Sequence, residues 1–204
     1  MDEMDDKPAF LANAARLQRA YFDRDTELVA RELLGCLLVH RSDGVERIGR
    51  IVETEAYLGV EALAAHSSKG ITPRTRIMFG PAGYAYVYLI YGMHHCVNVV
   101  TGPAGEGSAV LLRALEPLEG LEVMRRRRGR VERDRLLASG PGRLTQAFGI
   151  NHDLDAQPMR RSDVVILAKD PMDTTVEVSH RVGITKAVDW PLRFTQRGSH
   201  WVSK

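Results

Sequence analysis

Residues 36–57 read CLLVHRSDGVERIGRIVETEAY and predict a β-hairpin. Two strand-like runs, residues 36–40 and 47–57, flank a short polar segment that contains Asp43-Gly44. An Asp-Gly pair between two such runs is typical of a tight turn, because both residues tolerate the positive φ angles that hairpin turns require. The sequence therefore places two antiparallel strands side by side at this point.

The chain outside the hairpin alternates between strand and helix patterns. Residues 25–35 carry apolar side chains at helical spacing, between an Asp-Thr start and a final glycine, and predict an amphipathic helix. Further strands are predicted at residues 84–90, 96–100, 108–115, 164–168 and 181–184, and further helices at residues 117–128, 133–139 and 142–148. We expect an antiparallel sheet mixed with helices.

Length and composition indicate an ordinary globular protein. The 204 residues suit one domain, since units with their own core usually contain about 100 to 200 residues. Hydrophobic residues make up 44% of the chain and charged residues 26%, which excludes a disordered or fibrous protein. We divide the chain into a loose N-terminal tail, residues 1–15, and one domain, residues 16–204.

Cysteine use and the N-terminus point to the cytoplasm. Cys36 and Cys96 form no CxxC pair, so neither a disulfide framework nor a cysteine-based metal site is predicted. The start MDEMDD is acidic, unlike a signal peptide, and the longest apolar run, residues 84–91, is too short to cross a bilayer. We expect a cytoplasmic protein with no membrane partner, associated with the nucleoid if its source is bacterial.

Seven arginines crowd into residues 125–135, where they meet only Glu132 and Asp134. Guanidinium groups match phosphate oxygens, so such a cluster favours a polyanionic partner. The alternative is a solvated helix face, and the cluster by itself does not decide between the two.

Glu53 and Glu55 are two residues apart on the predicted strand, so their side chains share one face with Tyr57. One interpretation is a carboxylate in a pocket that acts as a general base. The alternative is an exposed strand face that the glutamates solvate. Spacing alone leaves both open.

Tyr84, Tyr86 and Tyr88 share one face of another predicted strand. Such a ladder is usual in core packing, but it can also form a stacking wall for a planar ligand. Tyr91 has the opposite parity and precedes Gly92, so we expect it to leave the ladder and point outward from a turn.

Four possible metal ligands, His66, His94, His95 and Cys96, do not form a predicted site. Neighbouring side chains on an extended segment point to opposite faces, and the sequence has no second ligand pair at zinc spacing. We therefore expect no metal. The run Ser139-Gly-Pro-Gly-Arg143 precedes an amphipathic segment and could offer N–H groups and a basic side chain to a phosphate, although such turns are common.

Several of these pieces, taken together and in order, strongly resemble the alkyladenine (3-methyladenine) DNA glycosylase family. The resemblance runs from about residue 21 to the last residue. It rests on RIVETEAYLG (50–59), AAHS (64–67), TPR (72–74), YVYLIYGM (86–93), VLLRALEPLEG (110–120), SGPG (139–142) and RGS (197–199). It implies an α+β (mixed) fold, a single domain around a curved antiparallel β-sheet with flanking helices.

The resemblance also implies an activity. Family members flip alkylated or deaminated purines out of duplex DNA and hydrolyse the N-glycosidic bond with water as nucleophile, which leaves an abasic site for base excision repair. We therefore expect a monomeric DNA repair enzyme that needs no cofactor and binds double-stranded DNA containing a damaged purine. The matching site offers no lysine for a Schiff base, so lyase activity is not expected.

Residue by residue, the resemblance implies three sets of site residues. Glu55 matches the general base and Arg113 the arginine that holds it and the water. The implied base pocket contains Tyr57, Ala64, Ala65, His66, Tyr88, Asn98, Leu111 and Ile184. The implied DNA contacts are Tyr91, Met93 and His94 for intercalation and Arg74, Gly142 and Arg143 for phosphates. Asn98 matches the asparagine that rejects the amino group of guanine.

Two departures from the family pattern affect the DNA contacts. His94 stands where the better-known vertebrate members have a bulkier aromatic residue, and Arg143 stands in place of lysine. The sequence leaves open which lesion is preferred among 3-methyladenine, 7-methylguanine, hypoxanthine and ethenoadenine. It also leaves two competing classes to test, a non-catalytic damage sensor and a metal-dependent hydrolase that uses His66, His94 and His95.

Overall fold

The computed structural model describes residues 14–59, 66–129, 131–168 and 175–204. Within these ranges eight strands form one antiparallel sheet. They are β1 (Leu37–Ser42), β2 (Val45–Tyr57), β3 (Ala85–Ile90), β4 (His94–Thr101), β5 (Ser108–Glu119), β6 (Val164–Leu167), β7 (Val176–Ser179) and β8 (Arg193–Gln196). The α-helices are α1 (Arg19–Phe22), α2 (Thr26–Glu32), α3 (Leu121–Arg128) and α4 (Pro141–Phe148). Short 3₁₀ turns lie at His66–Lys69, Arg76–Phe79, Asp134–Leu136 and His152–Leu154.

The sheet has the order β3-β4-β5-β2-β1-β6, and β8 joins β2 and β7. The long strand β2 pairs with β5 along one edge, while its other edge pairs first with β1 and then with β8. This arrangement and the register shifts between β2 and β5 curl the sheet. The α+β prediction, a curved antiparallel sheet with flanking helices, is confirmed.

The predicted hairpin is confirmed as β1 and β2. Asp43 and Gly44 have φ angles of 56° and 71°, as a tight turn between twisted strands requires. The ribbon then packs against α4. A methyl group added at Gly49 would lie 2.9 Å from the ring of Phe148, so only glycine lets β2 approach this helix.

One large apolar core lies between the sheet and its helices. It contains Leu33 and Leu34 after α2, Leu112 of β5, Phe148 of α4 and Phe194 of β8, all fully buried. Burial of such side chains stabilises the fold by roughly 1.5 to 3 kcal/mol each. This core fixes β2 and β5, the two strands that carry the charged residues described below.

Three element predictions are wrong. The helix predicted at residues 117–128 begins only at Leu121, because β5 continues to Glu119 and Gly120 turns the chain with a φ of 78°. The helix predicted at 133–139 is a single 3₁₀ turn. The segment 181–184 is irregular, and the strands near it are β7 and β8.

Most of the predicted tail, residues 1–13, lies outside the described residues. At its end, the Ala15 carbonyl accepts a hydrogen bond from the Ala168 N–H at 2.7 Å. In the parts of the chain that are described, no helix has the length and apolar character needed to span a membrane.

Candidate active site

The centre of the site is a pair of carboxylates on β2 beside an arginine on β5. Glu53 and Glu55 have none of their surface exposed, and Arg113 is 6% exposed. The alternative of a solvent-exposed glutamate face is therefore wrong. Both carboxylates contact the same guanidinium, at 2.9 Å for Glu53 and 3.4 Å for Glu55.

Glu55 is held by three donors. Its Oε2 accepts a hydrogen bond from the Tyr57 hydroxyl at 2.9 Å and faces Arg113 Nη1 at 3.4 Å, while its Oε1 accepts one from the Val182 N–H at 2.7 Å. Burial raises the pKa of Glu55, and although these three donors lower it, the pKa stays above its usual value. A carboxylate offers about four acceptor positions, so Glu55 can accept one further donor, such as a water molecule.

Glu53 anchors the arginine. Its Oε1 accepts hydrogen bonds from Arg113 Nε at 2.9 Å, Arg193 Nε at 2.7 Å and Ser203 Oγ at 2.8 Å, and its Oε2 accepts one from the Ser203 N–H at 2.6 Å. Burial would lower the pKa of Arg113, but the carboxylates of Glu55 and Glu53 raise it, so the guanidinium stays charged. Each charge of this cluster is thus paired and hydrogen-bonded, which offsets the cost of burying it.

A cavity of about 270 Å³ adjoins this cluster, and we call it the base cavity. Tyr57, His66, Tyr86 and Tyr88 give it aromatic walls. The rings of His66 and Tyr88 meet edge to face with centroids 4.5 Å apart, and the Tyr86 hydroxyl lies 2.9 Å from His66 Nδ1. The volume is near the lower end of ligand pockets, about 300 to 1,000 Å³, and suits a small planar ligand.

The tyrosine ladder contributes both to the core and to the wall of the base cavity. Tyr86 is buried in a small apolar cluster with Met78, and Tyr88 packs against that cluster while it also lines the base cavity. Tyr84 packs against the same cluster.

Other predicted pocket residues lie in the same cavity wall. Asn98, Leu111, Ile184 and Arg113 all line the base cavity. The Asn98 side chain is fixed, because its Nδ2 donates to the Tyr86 carbonyl at 3.0 Å. Ala64 and Ala65, predicted for the same pocket, lie outside the described residues.

Several residues of the base cavity were not predicted from the sequence. Cys96 could have been found, since it precedes Asn98 by two residues on β4 and so shares its face. Val182 and Lys186 lie in the irregular segment before β8, which has no periodic pattern to reveal them.

The β3–β4 turn carries the predicted intercalating residues and exposes them. Tyr91 is 81% exposed and Met93 70%, and His94 is exposed beside them. Tyr91 has a φ of 53°, a conformation that is unusual for a bulky residue, and it is followed by Gly92 with a φ of 70°. The turn thus presents apolar and aromatic side chains to solvent, and Tyr91 leaves the ladder as its parity predicted.

A second cavity, about 680 Å³, lies at the start of α4, and we call it the basic pocket. It shares Arg113 and Pro141 with the base cavity. Gly142 forms part of it and lies against His94: an added methyl group would be 3.1 Å from that side chain. The basic side chains that line the pocket are His94, Arg113, Arg128, Arg135, Arg143, His200 and Lys204.

The arginine-rich stretch divides between the two interpretations left open by the sequence. Arg128 and Arg135 face the basic pocket. Arg125 pairs with Glu122 and Asp134, and Arg127 pairs with Asp43 at 2.7 Å. The stretch is therefore partly a network of surface ion pairs and partly the wall of a cationic pocket.

Arg74 lies apart from the basic pocket. Its guanidinium stacks over the Tyr88 ring at 4.9 Å from the centroid, and its Nη2 lies 3.4 Å from the Leu89 carbonyl oxygen. In this position Arg74 supports the back of a cavity wall.

Among the described residues, no group of three or more His, Cys, Asp or Glu side chains is arranged to hold a metal ion. The ligand set imagined for a metal-dependent hydrolase, His66, His94 and His95, is thus not assembled there.

Comparisons with known proteins identify the family to which the chain is similar. The family model described as methylpurine-DNA glycosylase matches residues 20–200. A protein of Methanoculleus marisnigri with the provisional name 3-methyladenine DNA glycosylase is 54% identical, over 92% of this chain and 98% of that protein. A Legionella pneumophila (strain Corby) protein with the same provisional name is 48% identical, over 93% and 98% of the two chains.

The DNA-3-methyladenine glycosylase of Mus musculus is also 48% identical, over 94% of this chain and 62% of the mouse protein. A family model that spans nearly the whole chain, together with relatives matched almost end to end, shows that this chain belongs to the methylpurine-DNA glycosylase family.

Proposed function

We propose that this DNA N-glycosylase removes damaged purines from duplex DNA by flipping the nucleotide into the base cavity and hydrolysing its N-glycosidic bond with Glu55 as general base. One observation carries the proposal. A fully buried carboxylate, held by Arg113, Tyr57 and Val182, lies directly behind a small aromatic cavity that those three residues line. The names of the relatives, which specify 3-methyladenine, support alkylated purines as the substrate class.

The walls of the cavity suit a flipped base. Tyr57, Tyr88 and His66 offer ring surfaces for stacking. Alkylation at a ring nitrogen gives a purine a positive charge, and a cation on a tyrosine face gains about 0.5 to 2 kcal/mol. Extrusion costs a few kcal/mol of stacking and pairing, and least for a damaged base. The cavity would thus favour damaged over normal purines.

Glu55 would act on a water molecule that donates to its carboxylate on the cavity side, next to Arg113. The carboxylate accepts a proton from the water as the water oxygen bonds to the sugar C1′. The bond between C1′ and the base nitrogen breaks, and its electron pair leaves with the base. The negative charge of Glu55 also stabilises the oxocarbenium-like character of the sugar in the transition state.

The exposed turn and the basic pocket would hold the DNA. Tyr91, with Met93 and His94 beside it, would fill the space that the flipped nucleotide leaves in the duplex. Arg143 and Gly142 at the start of α4, with Arg128 and Arg135, would bind backbone phosphates. The shared wall of the two cavities would place a phosphate beside the flipped base.

We propose that the enzyme is monofunctional and produces an abasic site without strand cleavage. Hydrolysis needs a general base for water, which Glu55 would supply, whereas lyase chemistry requires an amine that attacks C1′. Lys186 lines the base cavity and is exposed, so it is the residue to test for a Schiff base.

The test of the function uses a duplex oligonucleotide with one hypoxanthine, incubated with the protein in EDTA. Free base and alkali-labile abasic sites are the readouts. Release by the wild type and release at least about 100-fold slower by Glu55→Gln support the proposal. Binding without release of hypoxanthine, 3-methyladenine, 7-methylguanine or ethenoadenine indicates a damage sensor, and activity lost to EDTA indicates a metalloenzyme; either result refutes the proposal. The same assay with 3-methyladenine, 7-methylguanine and ethenoadenine ranks the lesions.

A further inference from the structure

The cluster behind the base cavity contains more groups than the chemistry uses. Glu55 and Arg113 adjoin the base cavity. Glu53 and Ser203 contact Arg113 from outside that cavity, Arg193 contacts Glu53, and Ser203 also lines the basic pocket. Glu53 is fully buried and Ser203 is 7% exposed. Burying a charge and its partners costs free energy unless they are fully hydrogen-bonded, so their arrangement calls for a physical reason.

The contacts of Arg113 show that two of its nitrogens are held in place. Its Nε donates to Glu53 Oε1 at 2.9 Å, and its Nη2 donates to Ser203 Oγ at 3.1 Å. A guanidinium is planar and rigid, so fixing Nε and Nη2 also fixes the direction of Nη1. That third nitrogen faces Glu55 Oε2 at 3.4 Å.

Ser203 closes this arrangement through all three of its polar groups. Its N–H donates to Glu53 Oε2 at 2.6 Å, and its hydroxyl donates to Glu53 Oε1 at 2.8 Å while it accepts from Arg113 Nη2. Its carbonyl accepts from Arg193 Nη2 at 3.3 Å. The segment that follows β8 is thereby tied to the two strands that carry Glu55 and Arg113.

We infer that Glu53 and Ser203 are positioning residues, which orient the Arg113 guanidinium toward Glu55 and the attacking water. This inference rests on the proposed function. It also means that Glu53→Gln is not a neutral control for Glu55→Gln, because neutralising Glu53 weakens the anchor of Arg113.

The test compares Ser203→Ala with Ser179→Ala in single-turnover excision of hypoxanthine from duplex DNA. Ser179 is the matched control, because it contacts the same arginine as Ser203. Its hydroxyl accepts from Arg193 Nη1 at 3.2 Å, whereas the Ser203 carbonyl accepts from Arg193 Nη2. We expect Ser203→Ala to lose about 10- to 100-fold in rate, as for small misplacements of catalytic groups. Ser203 lines the basic pocket, but its N–H and hydroxyl already bond Glu53 and Arg113, so binding of the same duplex should not change. Ser179→Ala should excise at the wild-type rate.

Two further readouts separate positioning from a structural role. In Ser203→Ala, Arg113 is less constrained and stabilises the ionised Glu55 less, so the pKa of Glu55 should rise. The acid limb of the pH–rate profile should therefore move to higher pH. In Ser203→Thr, which keeps a hydroxyl, the limb should return to its wild-type position. In the Arg113→Lys background, which lacks the rigid fork, Ser203→Ala should have almost no additional effect on the rate.

A wild-type excision rate in Ser203→Ala overturns the inference. It is also overturned if the loss of rate follows the loss of melting temperature, the acid limb does not move, and the loss is equally large in the Arg113→Lys background. If the wild type releases none of the four damaged bases, the proposed function fails and the positioning role fails with it.

Discussion

Tyr91 is the residue whose assignment depends most on exposure. We predict that Tyr91→Ala weakens capture of the flipped nucleotide but leaves folding stability nearly unchanged. The side chain is 81% exposed, so its truncation removes little packing from the free protein. Base–aromatic stacking contributes about 1 to 3 kcal/mol per base, and at 1.4 kcal/mol per tenfold this corresponds to about 5- to 150-fold weaker capture.

If Tyr91 were instead a core residue, its truncation would lower the melting temperature. Truncating a packed aromatic residue costs about 3 to 5 kcal/mol, and each kcal/mol lowers the melting temperature by roughly 2 to 4 °C for a domain of this size. A core role for Tyr91 would therefore lower the melting temperature by roughly 6 °C or more. Tyr88→Ala supplies the contrast, because Tyr88 packs against Tyr86 and His66 while it lines the base cavity, and its loss should impair both stability and base binding.

The assay pairs thermal melting with 2-aminopurine fluorescence next to a lesion, which reports unstacking in the complex. We expect Tyr91→Ala to melt within a few degrees of the wild type and to give a smaller fluorescence rise. A melting temperature many degrees lower together with unimpaired base flipping would refute the wedge role.

Three further predictions concern acid–base chemistry, DNA binding and the product. Tyr57→Phe removes a hydrogen bond that favours the ionised carboxylate of Glu55, so the pKa of Glu55 should rise further. The acid limb of the pH–rate profile should then move to higher pH, and an unmoved limb contradicts this prediction. Neutralising Arg128 and Arg135 should reduce the salt dependence of duplex binding by about 0.9 log units per log unit of salt for each lost phosphate contact. Arg125→Ala should leave the salt dependence unchanged, because Arg125 is already paired with Asp134. Borohydride added during turnover should trap no covalent enzyme–DNA adduct, and a trapped adduct that disappears in Lys186→Ala would show lyase chemistry.

Local patterns in the sequence predicted the parts of the fold that local physics determines. The Asp43-Gly44 turn and the alternation of β3 depend on neighbouring residues alone, and both were predicted. The helix predicted at residues 117–128 was given too early a start, because Pro117 pairs with Gly49 across the sheet and so belongs to β5. No local pattern reveals such a long-range pairing.

The candidate site, too, was predictable only where local patterns determine it. The shared face of Glu53 and Glu55 followed from strand periodicity, and their roles came from the family resemblance. Their burial did not follow, because it depends on β8 and on Ser203, which is 150 residues away from Glu53 in the chain. The contribution of Val182 was also hidden, since an irregular segment carries no periodic signal.

The catalytic assignment of Glu55 is tested most directly by single-turnover base release with Glu55→Gln on hypoxanthine-containing duplex DNA. Glutamine preserves the size of the side chain but cannot accept the proton from water. We predict unchanged binding of the duplex and a fall in excision rate of at least about 100-fold, the smaller contribution expected of a general base. A Glu55→Gln enzyme that releases the base at the wild-type rate would contradict the assignment of Glu55 and the mechanism built on it.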